Sequence, residues 1–157
     1  PDFQKVFKSL LNGVIVQDAD ISDESCQISV VKTIKKPTQA EMEDMDFGIK
    51  CAKHLKSNTI VLVKGKQMLG MGCGQTSRID ACQQAIDKSK KYGFSLLGSV
   101  MISDAFFPFP DCVALAKEEG VSAVAQPGGS IKDQLSIDYC NAHNISMVFT
   151  GIRHFRH

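Results

Sequence analysis

The stretch SVMISDAFFPFPDCVALAKEEGVSAVAQPGGSIKDQLSIDYCNAHNISMVFT, residues Ser99–Thr150, decides the fold. Three short apolar runs punctuate it: Ser99 to Ile102, Ala123 to Ala125 and Ile145 to Thr150. Each is too short for a helix and is bounded by turn residues, so each reads as a buried strand. Between them lie a helix from Asp111 to about Glu119, stopped by Gly120, and a second helix after Ser130. Strand and helix alternating in this way predict right-handed crossovers and parallel strands.

Upstream the pattern changes. Ser77 is placed to cap a helix whose buried stripe is Ile79, Cys82 and Ile86, with Gly93 where a left-handed C-terminal cap falls. Asn58 to Val63 reads as a strand that Lys64-Gly65-Lys66-Gln67 folds back onto Met68 to Gly72. Before it, Thr38 and Glu41 have capping-box spacing, and Met42, Met45, Ile49, Ala52 and Leu55 recur at three and four, predicting an amphipathic helix. Val14 to Val16 and Ile28 to Val31 read as strands joined by the polar stretch Asp18 to Gln27. The opening segment Phe3 to Leu11 has helix-like spacing and no start signal, as in a piece of a larger polypeptide. The expected architecture is an α/β layered domain with a mixed sheet, antiparallel early and parallel in its C-terminal half.

At 157 residues the chain fits one domain with a continuous core. A net charge of +1 supplies no broad attraction to nucleic acid or to a membrane surface, and Lys88, Lys90 and Lys91 read as a solvated helix face. Six cysteines without a C-x-x-C pair signal neither a zinc knuckle nor a redox motif, and read as packed, reduced thiols. No apolar run reaches the length of a membrane span, and Pro1 to Gly13 lacks a signal peptide's pattern, so the expected compartment is the cytoplasm.

Ligands of open parallel sheets bind outside the carboxyl ends of the strands, which directs attention to four segments. Gly70 to Arg78 holds three alternate glycines before a helix start, either a tight turn or a phosphate cradle with Arg78 beside it. Gln126 to Ser130 has the same two readings. Asp104 to Asp111 carries Phe106, Phe107 and Phe109, a core plug or a stacking surface for a heterocycle that Asp111 anchors. In the terminal GIRHFRH, Arg153 stands shortly past the last strand, where its guanidinium suits a phosphate. His54 and His143 sit at helix ends, and neither H-x-E nor P-C-x-x-C is present for zinc-water deamination.

Taken in order, VVKTIKKPT, KHLKSNTIV, GMGCGQTSRID, SDAFFPFPD, QPGGSIKD and FTGIRHFRH closely resemble the C-terminal half of the transformylase domain in the AICAR transformylase/IMP cyclohydrolase family. The resemblance implies a cytidine-deaminase-like fold, with residues 1–157 supplying the second such subdomain and part of the connecting region. It implies formyl transfer from 10-formyltetrahydrofolate to the amine of AICAR ribonucleotide, in a homodimer. Matched by motif, Asn58 resembles the asparagine beside the reacting formyl group. Arg78, Phe106, Arg153 and Phe155 resemble nucleotide-site residues, with Arg153 on the phosphate. Pro108, Phe109 and Asp111 resemble the pterin side of the folate pocket. Potassium is implied near Ser57, Thr59 and Asp104. The family's catalytic Lys-His pair has no counterpart, since Lys53-His54 belongs to a different motif, so the expectation is half of an active site and little turnover by the chain alone. The alternative is a non-catalytic module of the same fold that binds a nucleotide or mediates association; a dinucleotide-dependent oxidoreductase is disfavoured because G-x-G-x-x-G is absent.

Overall fold

The computed structural model describes residues 5–21 and 29–156. A hairpin of β1 (Lys5–Leu10) and β2 (Gly13–Asp18) forms a separate two-stranded sheet. There follow β3 (Val30–Val31), α1 (Gln39–Lys53), β4 (Ile60–Lys64), β5 (Gln67–Gly72) and α2 (Arg78–Lys91). The expected alternation closes the chain: β6 (Val100–Ser103), α3 (Asp111–Glu118), β7 (Ala123–Gln126), α4 (Asp133–Ala142) and β8 (Ser146–Phe149). The main sheet has the order β3-β8-β7-β6-β4-β5. Strands β6, β7 and β8 are parallel, while β4 runs antiparallel to β5 and to β6, and β3 antiparallel to β8. The mixed sheet, parallel towards the C-terminus, is the expected one.

Successive strand residues point to opposite faces, and the sheet uses both. Val61, Val63, Val100, Ile102, Ala123, Ala125 and Val148 meet Met45, Ile49 and Ala52 of α1 on one side. Ile60, Leu62, Met101, Val124 and Met147 face α2, α3 and α4 on the other. Covered on both faces, these strands carry continuous apolar runs, which explains their legibility. Among the described residues no helix is long and apolar enough to cross a membrane.

Helix α1 begins with the anticipated capping box: Thr38 Oγ1 accepts the Glu41 amide at 3.2 Å and Glu41 Oε2 accepts the Thr38 amide at 2.7 Å. Glu41 also accepts the Ser122 hydroxyl at 2.5 Å, fixing the helix start over the beginning of β7. Hydrogen bonds from Ser122 and Thr38, with Lys35 nearby, outweigh burial, the largest single influence on this carboxyl, and hold it below its ordinary value.

Two expectations are corrected. Residues Lys5 to Leu10, assigned to a helix-like segment, form a strand: Leu10 pairs with Gly13 across the two-residue turn Leu11-Asn12. The four-residue spacing of Val6 and Leu10 mimics a helix, but pairing with β2 decides the conformation, and Asn12-Gly13 was the turn signal available. Of the glycines at 70, 72 and 74, the first two serve packing, while Gly74, at φ 67°, makes the turn. A Cβ on Gly70 would lie 2.2 Å from the Ala85 carbonyl oxygen, and one on Gly72 only 2.0 Å from that of Ala81. Strand β5 is thus bare of side chains where α2 presses on it. Ile28, expected in a strand, lies outside the described residues, as does most of the Asp18 to Gln27 connection.

This close approach yields a prediction. Gly72→Ala forces backbone apart and should destabilise the chain by about 1–3 kcal/mol in urea unfolding; an unchanged midpoint would show that α2 does not lie this near β5.

Candidate functional site

Parallel β6, β7 and β8 end on one edge of the sheet, and the loops leaving them, 104–110, 127–132 and 150–156, emerge together. Because β4 is antiparallel to β6, with Ile60 opposite Ser103, the turn before β4 lies at this same edge. Ile60 also faces Gly72, so β5 delivers the start of α2, and Arg78, there too. All four segments singled out by sequence, together with Ser57, Asn58 and Thr59, share one edge.

The three phenylalanines of the 104–110 loop take different environments. Phe107 is the plug: its ring is fully buried, its amide donates to Gln126 Oε1 at 2.7 Å and its carbonyl accepts the Ser136 hydroxyl at 3.1 Å. Its neighbour Phe106 remains half-buried. The Arg153 guanidinium carbon stands 4.2 Å from the Phe106 ring centre and that of Arg78 stands 5.1 Å from it, both within cation–π range. Phe155 joins this group, 5.4 Å from Arg153. Two guanidiniums sharing one ring repel each other, and an anion between them relieves that repulsion. Arg78 Nε is buried without a hydrogen-bond partner, a donor that a ligand can satisfy.

Phe109, by contrast, is exposed, with Lys132 Nζ 4.5 Å from its ring centre. Pro108 is half-buried next to it. Asp111 is exposed in the first turn of α3, where a carboxylate suits the helix dipole, and its Oδ1 accepts the Cys112 amide at 2.8 Å. The structure therefore separates Phe106 with the arginines from Phe109 with Lys132.

Asn58 Nδ2 donates to the carbonyls of Gln75 at 3.0 Å and Thr76 at 3.3 Å. Both amide protons are used, so Oδ1 is the group directed to further chemistry, as an acceptor. Asp104, only 1% exposed, accepts the Thr59 amide at 2.9 Å through Oδ1, while Oδ2 has no hydrogen-bond partner. Burial pushes this carboxyl up, against the opposing effects of hydrogen bonds from Thr59 and Ser57 and the charge of Arg78.

The terminal segment is held to this network. The Ser57 amide donates to the Arg156 carbonyl and the Arg156 amide to Ser57 Oγ, both at 2.9 Å. A cleft of about 410 Å³ opens on its far side, among Phe7, Lys53, Lys56 and Arg156.

The Pro-Gly-Gly-Ser turn does not hold an open anion cradle. Asp133 Oδ2 accepts the amides of Gly129 at 2.8 Å and Ser130 at 3.1 Å, so the chain's own carboxylate sits where a phosphate would. Cys82, Cys112 and Cys140 are buried. Burial raises the Cys140 thiol to about 12, and a hydrogen bond with Cys82 together with burial raises Cys112, which suits packing and opposes thiolate chemistry. His54 and His143 are helix C-caps, the latter stacked on Tyr139 with ring centres 3.9 Å apart. Gln126, which shapes the phenylalanine loop, had no assigned role; the available signal was an amide closing the apolar strand AVAQ.

A family model described as AICARFT/IMPCHase bienzyme matches residues 2–88. The chain is 58% identical over 154 residues to the bifunctional purine biosynthesis protein PurH of Bacteroides thetaiotaomicron, a match covering 98% of this chain and 30% of that protein. It is 49% identical over 158 residues to the protein of that name from Aquifex aeolicus, covering 99% and 31%. The chain thus spans under a third of the length of these relatives. Among solved structures, the dCMP deaminase of cyanophage S-TIM5 in apo form aligns with a TM-score of 0.49 at 18% identity, over 71% of this chain and 98% of that one.

Removing the Gln126 side chain should leave the Phe107 amide buried without its acceptor. Gln126→Ala is expected to cost about 1–3 kcal/mol in thermal or urea unfolding; stability equal to the parent chain would show that this amide finds another partner.

Proposed function

Since this chain belongs to the AICARFT/IMPCHase bienzyme family, we propose that it supplies the C-terminal part of a transformylase site. The reaction is formyl transfer from 10-formyltetrahydrofolate to the 5-amino group of AICAR ribonucleotide, giving FAICAR in de novo purine biosynthesis. The observation that carries this reading is the half-buried Phe106 ring with Arg78 and Arg153 both within cation–π range of it, at the carboxyl ends of the parallel strands. An aromatic face beside two guanidiniums matches a nucleotide: a flat base to stack and a phosphate to neutralise.

The amine to be formylated is weakly nucleophilic because its lone pair is delocalised into the imidazole carboxamide. The reaction needs that amine oriented, its proton removed, and the oxyanion on the formyl group stabilised. Asn58 contributes the first: with Nδ2 committed to Gln75 and Thr76, Oδ1 accepts from the amine and points its lone pair at the formyl carbon. Arg153 binds the phosphate, with Arg78 and Phe155 beside it. Pro108 and the exposed Phe109 offer an apolar wall to the pterin, and Asp111 accepts from its ring N–H groups. No residue here matches the family's Lys-His pair, so proton removal and much of the oxyanion stabilisation fall to groups outside these 157 residues. Those groups come from the remainder of a longer enzyme, acting as a cytoplasmic homodimer.

Potassium is proposed at Ser57, Thr59 and Asp104. Asp104 Oδ2 is buried and unpartnered, an oxygen that a hard cation takes, and the Ser57 and Thr59 hydroxyls, which also bond the Arg156 amide and the Lys56 carbonyl, would add further oxygens. A cation held there would supply positive charge that offsets the burial of the carboxylate.

Two outcomes are expected. By calorimetry the chain binds AICAR ribonucleotide, loses most of that affinity when the phosphate is absent, and is weakened about tenfold or more by Arg153→Ala; on its own it does not turn over 10-formyltetrahydrofolate. Equal affinity for ribonucleotide and riboside would reject the phosphate role, and turnover at an enzyme's normal rate would place the missing base within this chain. Potassium chloride, compared with lithium chloride at equal ionic strength, should raise the melting temperature by a few degrees in the parent chain but not in Asp104→Asn. Identical salt responses in the two proteins would remove the cation from the site.

A further inference from the structure

The terminal segment carries Arg153 and Phe155 on one side and His154 and Arg156 on the other, as side chains of an extended chain alternate. The first pair meets Phe106, and the second faces the rest of the domain. His154 is 5% exposed, and its Nδ1 lies 2.6 Å from Asp20 Oδ2, just beyond β2. Lys53 Nζ, at the end of α1, stands 3.7 Å from the other Asp20 oxygen. His154 Nε2 is buried without a hydrogen-bond partner, which fits the tautomer in which Nδ1–H donates to the carboxylate. A second attachment joins the hairpin to the same segment: Gln17 Nε2 donates to the Phe155 carbonyl at 3.1 Å.

We propose that His154, through Asp20 and Lys53, is a positioning residue that fixes the terminal segment so that Arg153 and Phe155 are presented to the phosphate and base of a nucleoside monophosphate. The proposal rests on the nucleotide-site reading above. His154 touches no ligand in this scheme. It acts because a charge-assisted hydrogen bond from a buried ring removes rotational freedom from the residues on either side of it. Arg153 is exposed and would otherwise sample many rotamers, so holding its backbone lowers the entropy lost when it closes on a phosphate. Asp20 follows closely on the β1–β2 hairpin. That gives the small sheet a task in the site: it presents the carboxylate against which the last residues are fastened.

The test uses the whole chain with four substitutions: Asp20→Asn, His154→Leu, His154→Asn and Arg153→Ala. Two readouts are needed, amide hydrogen exchange at Arg156 with tryptic cleavage after Arg153, and calorimetric binding of AICAR ribonucleotide. Asp20→Asn and His154→Leu are each expected to speed exchange and cleavage about tenfold and to weaken nucleotide binding by a similar factor. His154→Asn should restore much of both, because its amide nitrogen occupies nearly the place of Nδ1. Arg153→Ala should cost less in the His154→Leu background than in the parent chain, since Arg153 is already misplaced there. Unchanged exchange in Asp20→Asn and His154→Leu would overturn the proposal. So would faster exchange with nucleotide affinity intact, which would leave His154 a purely structural anchor. If the parent chain binds no nucleotide, the nucleotide-site reading fails and the positioning role fails with it; the exchange rates then show separately whether His154 fastens the segment.

Discussion

Asp104 and Thr59 bond to each other twice: the Thr59 amide donates to the Asp104 carboxylate, and the Asp104 amide to the Thr59 carbonyl at 3.3 Å. This small ring closes the point where β4 begins and β6 ends. Everything at the candidate site is referenced to it. Asn58 precedes Thr59 and is tied to the β5–α2 turn, while Ser57 holds the terminal segment by the Arg156 backbone. Phe106 follows Asp104 by two residues. A carboxylate buried at such a junction is costly unless its charge is answered, and the answers are an amide, a hydroxyl and the nearby Arg78.

The sheet around that junction makes the convergence of distant segments a matter of direction. Parallel strands send their exits to one edge, and an antiparallel neighbour sends its entrance there. Residues at 58, 78, 106 and 153 therefore gather on one edge without any long loop. The buried amide and hydroxyl of Gln126 and Ser136 add the finer adjustment, turning Phe107 inward.

How much of this the amino-acid pattern disclosed depended on whether the cause was local. The capping box at Thr38 and Glu41, the Lys64 to Gln67 turn and the three closing strands all follow from short-range chemistry or burial on both faces, and they stand where expected. The opening hairpin is not legible locally, because Val6 and Leu10 carry a spacing that serves helix and strand alike, and only pairing with β2 distinguishes them. The glycines at 70 and 72 show the same limit: a close helix contact and a loop cradle need the same absence of a side chain. Within the site, motif resemblance marked Arg78, Phe106 and Arg153, which the fold brings together. It did not mark Gln126, Asp20 or His154, whose roles exist only through partners 19 or more residues away in the chain.

The terminal segment has one property that neither its composition nor its contacts alone express, and it concerns length. Because its two sides have separate duties, its function is written in a two-residue phase. Replacing one side chain by a similar one disturbs one duty. Adding or removing a single residue between Thr150 and Arg153 would exchange the sides, sending the guanidinium towards Asp20 and the imidazole towards Phe106. The segment is therefore more tolerant of altered spelling than of altered spacing, and lineages carrying it should drift in residue type at the anchoring positions sooner than in the count of residues after β8.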